Sequence, residues 1–416
     1  MSSATKALGI LLGAIMVAAC IGRTALPDAG TRSPASESVS PTEPGALASD
    51  TPTVPTLEAT GTVRALTATA PLSQLPVCGE TASIELAMME LAFVAGWDGD
   101  DDVYTISADG ASLRQFTDNP GADVNPFWSG DGQQLAFVIG ALENPRLYVS
   151  QADGSTGHIV APELEVTTLQ ADLSPRGDLV AFRNLEDLYA VNILSGEATL
   201  LTPGPDINPG NPTFSPDGTK LLFTADDAVR DSDALFVVNA DGTGLTKLTT
   251  VVKSVHQPAW HPAGDKILFE LIETPSEGVA LHVVSLDGSV QKLPIVPVYR
   301  ASSAAWSPDG SMIGYIFGLS VLGPSGDIFD TLEKNVLKVA TADGGVDLEL
   351  LRPADEPGAE LQLHELAWAP DSRHIAYTAV TEGRTDLFVL NICDGSTALI
   401  AEDVDFYSTP AWRPLP

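Results

Sequence analysis

The chain has 416 residues, and 21 Lys and Arg against 55 Asp and Glu give a formal charge of −34. Nucleic-acid or other polyanion binding needs clustered cations and is excluded. A hydrophobic fraction of 44% with 18% charged residues is enough apolar material for a large core, so the chain is not disordered throughout, and 36 Gly with 31 Pro suit many short strands joined by turns better than long helices.

Residues 1–19 carry one cation, Lys6, and an apolar run from Ala7 to Ala19, a layout that fits an export signal better than a membrane span. The stretch Val17-Ala18-Ala19-Cys20 resembles the lipobox of bacterial lipoproteins. That resemblance implies a signal peptide over 1–19, cleavage before Cys20 and acylation of its thiol. Each buried methylene is worth about 0.8 kcal/mol and one chain holds only marginally, so two or three acyl chains on Cys20 would anchor the protein stably. From there to residue 76 the chain is almost wholly Pro, Thr, Ser, Ala and Gly with scattered acids, and it shows no apolar period of 2 or 3.6. The expectation is a disordered tether over 20–76, stiffened by proline, that holds a folded domain over 77–416 off the membrane.

Within that domain a unit repeats. Its first mark is an aromatic or apolar residue followed by a turn, starting at Trp128, Leu173, Phe214, Trp260, Trp306, Trp368 and Trp412, with spacings of 45, 41, 46, 46, 62 and 44. After each of the first six comes a short apolar strand, as in the LAFV run at 135 and the IAYT run at 375. Proline sets φ for the first corner of the turn and glycine accepts positive φ near its end, so the chain reverses there. A second hairpin follows in nearly every unit, with alternating apolar residues running up to Asp-Gly or Ser-Gly, as in residues 102–117. Four strands per unit of about 40 to 45 residues is the pattern of a β-propeller.

The second hairpin occurs seven times, but the earliest unit lacks its leading Trp-turn strand, while the chain ends in an unmatched strand at Trp412. The C-terminal strand therefore becomes the innermost strand of the first blade and leaves no open sheet edge. The expected fold is all-β, a seven-bladed propeller closed in this way. Six blades plus an edge sheet is the alternative, because Leu173 and Phe214 are weaker starts and the sixth unit carries an insertion over 318–335.

The segments Trp306-Ser307-Pro308-Asp309-Gly310 and Phe214-Ser215-Pro216-Asp217-Gly218, each followed by an aromatic strand, resemble the PD40 or WD40-like repeats of TolB-type propellers, which also occur in the prolyl oligopeptidase class. The resemblance covers about four fifths of the chain. It implies an interaction platform, since the periplasmic members are mostly that. The lipobox and spacer stand where TolB has a folded amino-terminal domain, so no particular partner is carried over.

No catalytic motif emerges. There is no Gly-x-Ser-x-Gly nucleophile elbow, and the six His include no His-Glu-x-x-His zinc pattern, so neither a metal nor a cofactor is expected. The acidic run Asp98–Asp102 fails as an EF-hand loop, having Val103 at position six and Asp109 at position twelve, and reads as an exposed hairpin loop. Polar residues a few places before each motif residue, namely Asn125, Asn211, His256, Arg300, His364 and Tyr407, fall at the start of the innermost strands and are expected to converge at the channel mouth, with the insertion on the same face. Blade closure makes Cys78 and Cys393 neighbours, and a disulfide between them is expected.

The reading is an extracytoplasmic, lipid-anchored monomer that binds a protein or cell-envelope ligand through the channel-mouth face without catalysis. The alternative is an enzyme acting on an extracellular glycan or peptide there, with His256, His364 and carboxylates such as Asp123 or Asp206 as acid and base.

Overall fold

The computed structural model describes residues 72–78, 84–97, 99–141, 144–164, 171–184, 187–202, 207–227, 232–249, 255–274, 278–295, 300–321, 332–351, 362–381, 383–405 and 409–415. Residues 1–71 lie outside them, and with them the signal segment, Cys20 and most of the tether, as do Asp206, Tyr407 and residues 322–331 of the insertion. The described strands form seven four-stranded antiparallel sheets. The last strand, Ala411–Trp412, pairs with Glu90–Ala95 through Leu91↔Trp412 and Ala92↔Ala411 and is the innermost strand of blade 1. The seven-blade expectation holds, and Leu173 and Phe214 each end the innermost strand of a complete blade. Each innermost strand touches those of both neighbouring blades, so the circle closes around a central channel.

The repeat motif builds this circle locally. In Ser307-Pro308-Asp309-Gly310 the Ser307 hydroxyl donates to Asp309 Oδ1 at 2.6 Å and accepts the Met312 N–H at 3.0 Å, while Gly310 takes φ +71°. Ser129 and Ser215 repeat the arrangement with Asp131 and Asp217. The motif tryptophan then ties blade to blade: the indole N–H of Trp128 donates to the Ala411 carbonyl, Trp260 to Thr213, Trp368 to Ala305 and Trp412 to Ala367, at 3.0–3.2 Å. Each acceptor directly precedes the motif residue of the preceding blade. Seven clusters of buried apolar side chains fill the spaces between adjacent blades, so the core is a ring of interfaces with the channel at its centre.

The packed chain begins earlier than its composition suggests. Leu72–Gln74 and Pro76–Cys78 form two short 3₁₀ turns, and Leu75 is 2% exposed within the cluster between blades 6 and 7, with Leu72 and Val77 beside it. Residues 72–76, read from sequence as the end of the tether, thus belong to the coat of the propeller. Cys78 is disulfide-bonded to Cys393, in the last hairpin turn of blade 7, with Cα atoms 5.2 Å apart. The bridge closes a separation of 315 residues, and a cross-link of that span is worth about 2–5 kcal/mol in the chain-entropy account.

Candidate functional site

The innermost strands carry a shared irregularity. In Val124–Trp128, Ile207–Phe214, Val255–Trp260 and Arg300–Trp306 the register slips so that two residues oppose one on the next strand. The first residue of each bulge lies three places before the motif aromatic and takes positive φ: Asn125 at 54°, Asn211 at 51°, Gln257 at 44° and Ser303 at 57°. Asparagine tolerates this region, whereas Gln257 and Ser303 hold it at a cost of roughly 1 kcal/mol or more each. Bulges of this kind re-aim side chains beside binding and catalytic sites. Gln362–Trp368 of blade 7 has its bulge one residue earlier, over His364 and Glu365.

Counting three places back from each motif aromatic gives Asn125, Asn211, Gln257, Ser303, Glu365 and Thr409, all polar and none fully buried. Four of them are bonded into a belt across blades 5, 6, 7 and 1. The Ser303 N–H donates to Gln257 Oε1, the Ser303 hydroxyl donates to Glu365 Oε2 at 2.7 Å, and the Thr409 hydroxyl donates to the same carboxylate. Burial raises the Glu365 carboxyl above the usual carboxylate range against these donors. Behind the belt stands Glu270, 4% exposed, in strand Lys266–Thr274. The bulge at Ser303 turns the Ala304 N–H toward its carboxyl, but Glu270 Oε1 is buried without a hydrogen-bond partner. Burial first and the nearby Glu365 second push Glu270 up to about 8.

Of the residues expected at the mouth, Asn125 and Asn211 occupy bulges, and the Asn211 amide donates to Thr224 Oγ1 of its own blade at 3.2 Å. His256 stands directly opposite Glu270 in the ladder, so the two side chains share one face of the sheet. Desolvation holds the His256 and His364 imidazoles below the ordinary histidine range, so both are neutral at pH 7. The backbone of Arg300 pairs with Gly318 at the start of its strand; its side chain, like Tyr407, lies outside the described residues. Within the insertion hairpin, Asn335 Nδ2 donates to the Leu363 carbonyl at 2.8 Å, which docks that hairpin next to His364. Asp123 is drawn elsewhere: its carboxylate accepts from Asn119, Thr117 and the Gly140 N–H, and its neighbouring charge is Asp100, on blades 1 and 2.

Sequence reading missed Gln257, Ser303, Glu365, Thr409 and Glu270. The first four were available by reading a fixed offset from each motif aromatic. Glu270 had one signal, an acid inside the otherwise apolar strand at Ile267–Leu271. Chemically, the belt offers hydroxyl and amide groups, one carboxyl raised by burial and a second, deeper one that keeps its proton at neutral pH. Among the described residues no three His, Cys, Asp or Glu side chains are grouped to hold a metal ion.

Residues 87–263 match the TolB beta propeller domain family, PD40. The TolB homolog of Chlorobium chlorochromatii is 28% identical over 137 residues, 33% of this chain and 31% of that protein. The Tol-Pal system protein TolB of Bordetella pertussis is 28% identical over 160 residues, 38% of this chain and 36% of that protein. The chain thus spans about a third of the length of these curated relatives. Among solved structures, oligogalacturonate lyase from Vibrio parahaemolyticus shares the fold with a TM-score of 0.57 at 15% identity, over 72% of this chain and 85% of that one.

Proposed function

We propose that this TolB-like PD40 propeller is a non-catalytic scaffold, held on the outer side of a membrane by lipid on Cys20, that binds a protein or cell-envelope ligand through the face carrying the channel mouth. The observation that carries the reading is the Gln257–Ser303–Glu365–Thr409 belt, a continuous polar band at a register that blade packing leaves open. Among the described residues no cation acts on Glu365, and the chain's formal charge is −34, so a cationic segment is the partner chemistry best suited to this wall. The similarity to a protein named for the Tol-Pal system supports a protein partner. The extracytoplasmic address rests on the lipobox-like Val17-Ala18-Ala19-Cys20 and is supported by the Cys78–Cys393 bridge, since disulfides persist in oxidising compartments. Among the described residues no helix is long and apolar enough to cross a membrane.

A second reading, an enzyme acting on a glycan or peptide at the mouth, is favoured by one observation: Glu270, pushed up to about 8, faces the same side as a neutral His256, a pairing suited to proton transfer. One experiment separates the two. A photo-crosslinking residue at Gln257 in intact cells is expected to capture a partner, and the same residue at Lys292, on an outermost strand, is not. Equal capture at both positions would overturn the assignment of the face, and glycan or peptide turnover that vanishes in Glu270→Gln would move the reading to catalysis. In the same cells, labelled palmitate should enter the wild type and be lost in Cys20→Ser; label retained in the variant would remove the anchor.

A further inference from the structure

A lysine in blade 6 is enclosed more closely than a surface ion pair requires. Lys338 lies in the third strand, Leu332–Thr341, between Met312–Val321 and the outermost strand, Asp347–Leu351. In the ladder it stands directly opposite Tyr315 on one side and Glu349 on the other, so the three share one face of the sheet. Asp347, two residues before Glu349, is on that face as well. Lys338 Nζ pairs with Asp347 Oδ2, and the Tyr315 hydroxyl donates to Asp347 Oδ1 at 2.6 Å. The rings of Tyr315 and Phe317 lie over the amine, their centres 5.7 and 5.4 Å from it. Little water reaches the pair: the Lys338 and Asp347 side chains are 14% and 19% exposed, and Tyr315 is buried.

Withdrawing two opposite charges from water commonly costs more than their attraction returns, and one chemical change would remove both charges together. An amine and a carboxyl held in contact can condense to an amide. In open water both are ionised and remain apart, but groups held in place react as if at concentrations on the order of 10⁵–10⁸ M. Burial first and Asp347 second hold the Tyr315 hydroxyl above the ordinary phenol range, so it keeps its proton and stays a donor to Oδ1. The pairs Arg384–Asp386 and Arg413–Glu90 cannot follow this course, because a guanidinium does not give up its proton.

We propose that Lys338 and Asp347 join in an isopeptide bond, formed by the folded chain itself, that fastens the outermost strand of blade 6 to its neighbour. One proton passes from Nζ to Oδ2 within the pair, leaving a neutral amine and a carboxylic acid. Nζ attacks Cγ, and the charge that gathers on Oδ1 is met by the Tyr315 hydroxyl. The Glu349 carboxylate, opposite Lys338, takes a proton from the attacking nitrogen and returns it to the Oδ2 hydroxyl, which leaves as water. One N–C bond has formed and one C–O bond has broken, with no oxidant, reductant or cofactor involved. The product is a neutral amide, and the open edge of the blade is held covalently.

The test is a tryptic digest of the full chain, unfolded and reduced, read by mass spectrometry. Trypsin cuts after a lysine only while its amine is free. Expected is one uncut peptide over residues 335–352, lighter than its sequence by the mass of one water. Separate peptides over 335–338 and 339–352 at full mass would overturn the bond, and this wild-type result is decisive even if a variant fails to fold. A lost water with cutting after Lys338 intact would overturn it too, because Asp343-Gly344 can cyclise to a succinimide with the same change in mass. Lys338→Arg keeps the charge without the nucleophile and should retain its water. The uncut, lighter peptide persisting in Asp347→Ala would refute Asp347 as the acyl partner. In chains sampled at intervals after synthesis, Glu349→Gln should link about a hundredfold more slowly, and linkage at the wild-type rate would remove Glu349 as the proton carrier.

Discussion

Deletion of residues 409–416 is expected to leave a chain that does not fold as a monomer, and the single change Trp412→Ala to destabilise it by about 3–5 kcal/mol, the cost of truncating a packed aromatic. Trp412 is 8% exposed, pairs with Leu91 and fills the cluster between blades 7 and 1. Its indole holds the Ala367 carbonyl of blade 7, while the Ala411 carbonyl receives the Trp128 indole of blade 2. The following Arg413 donates from Nε to the Gly132 carbonyl at 2.8 Å, pairs with Glu90 at 3.0 Å and lies over the Trp128 ring. Even Gly132 is shaped by the tail, because a Cβ there would come within 2.6 Å of the Pro414 carbonyl oxygen. Without the strand, Glu90–Ala95 becomes an unpaired apolar edge, a template for association between chains. Denaturant midpoints with size-exclusion chromatography check this; an unchanged midpoint for the deletion would sink the closure as a source of stability.

The second large effect is on pH. The Glu270 carboxyl is held up to about 8 in the folded chain against an ordinary value of 4.5. Between those two values the folded state keeps a proton that the unfolded state has released. The stability this group confers is therefore full below about pH 4.5 and is lost as pH rises toward 8, at up to about 1.4 kcal/mol per pH unit. Glu365, raised in the same sense, adds to the slope. Glu270→Gln keeps the shape without a titrating proton and should flatten this decline, so that the variant is the more stable protein at pH 8 and nearly matches the wild type at pH 5. Urea midpoints across that range measure it, and parallel curves for the two proteins would show that Glu270 is not the group responsible.

The blade count and its closure were legible because they rest on local chemistry: a Ser-Pro-Asp-Gly turn such as Ser307–Gly310 sets its own bonds within six residues, and the unmatched strands at Leu91 and Trp412 each lack what the other has. Cys78 and Cys393 could be paired on paper for the same reason. The belt was harder to see. His256, Arg300 and His364 stand out by residue type, but the bulges decide which positions line up, and a left-handed Gln257 or Ser303 leaves no trace in composition. Glu270 was hidden among the apolar residues of its strand. Leu72 and Leu75 look like part of a Pro- and Thr-rich tether, and only the burial of Leu75 over blades 6 and 7, with Leu72 half-buried beside it, marks them as part of the packed domain. The bond from the Asp123 N–H to the Asp101 carbonyl reaches a loop twenty-odd residues earlier, a relation no local window contains.

The bridge from Cys78 to Cys393 also decides how the domain bears mechanical load. A pull on the chain ahead of Leu72 meets a covalent link into blade 7 before it reaches Glu90–Ala95, the strand held by the short closing ribbon. Were the amino end anchored and a ligand gripped, as proposed, the tension between them would bypass the seam that unzips most easily, and the ring could be tugged without being peeled.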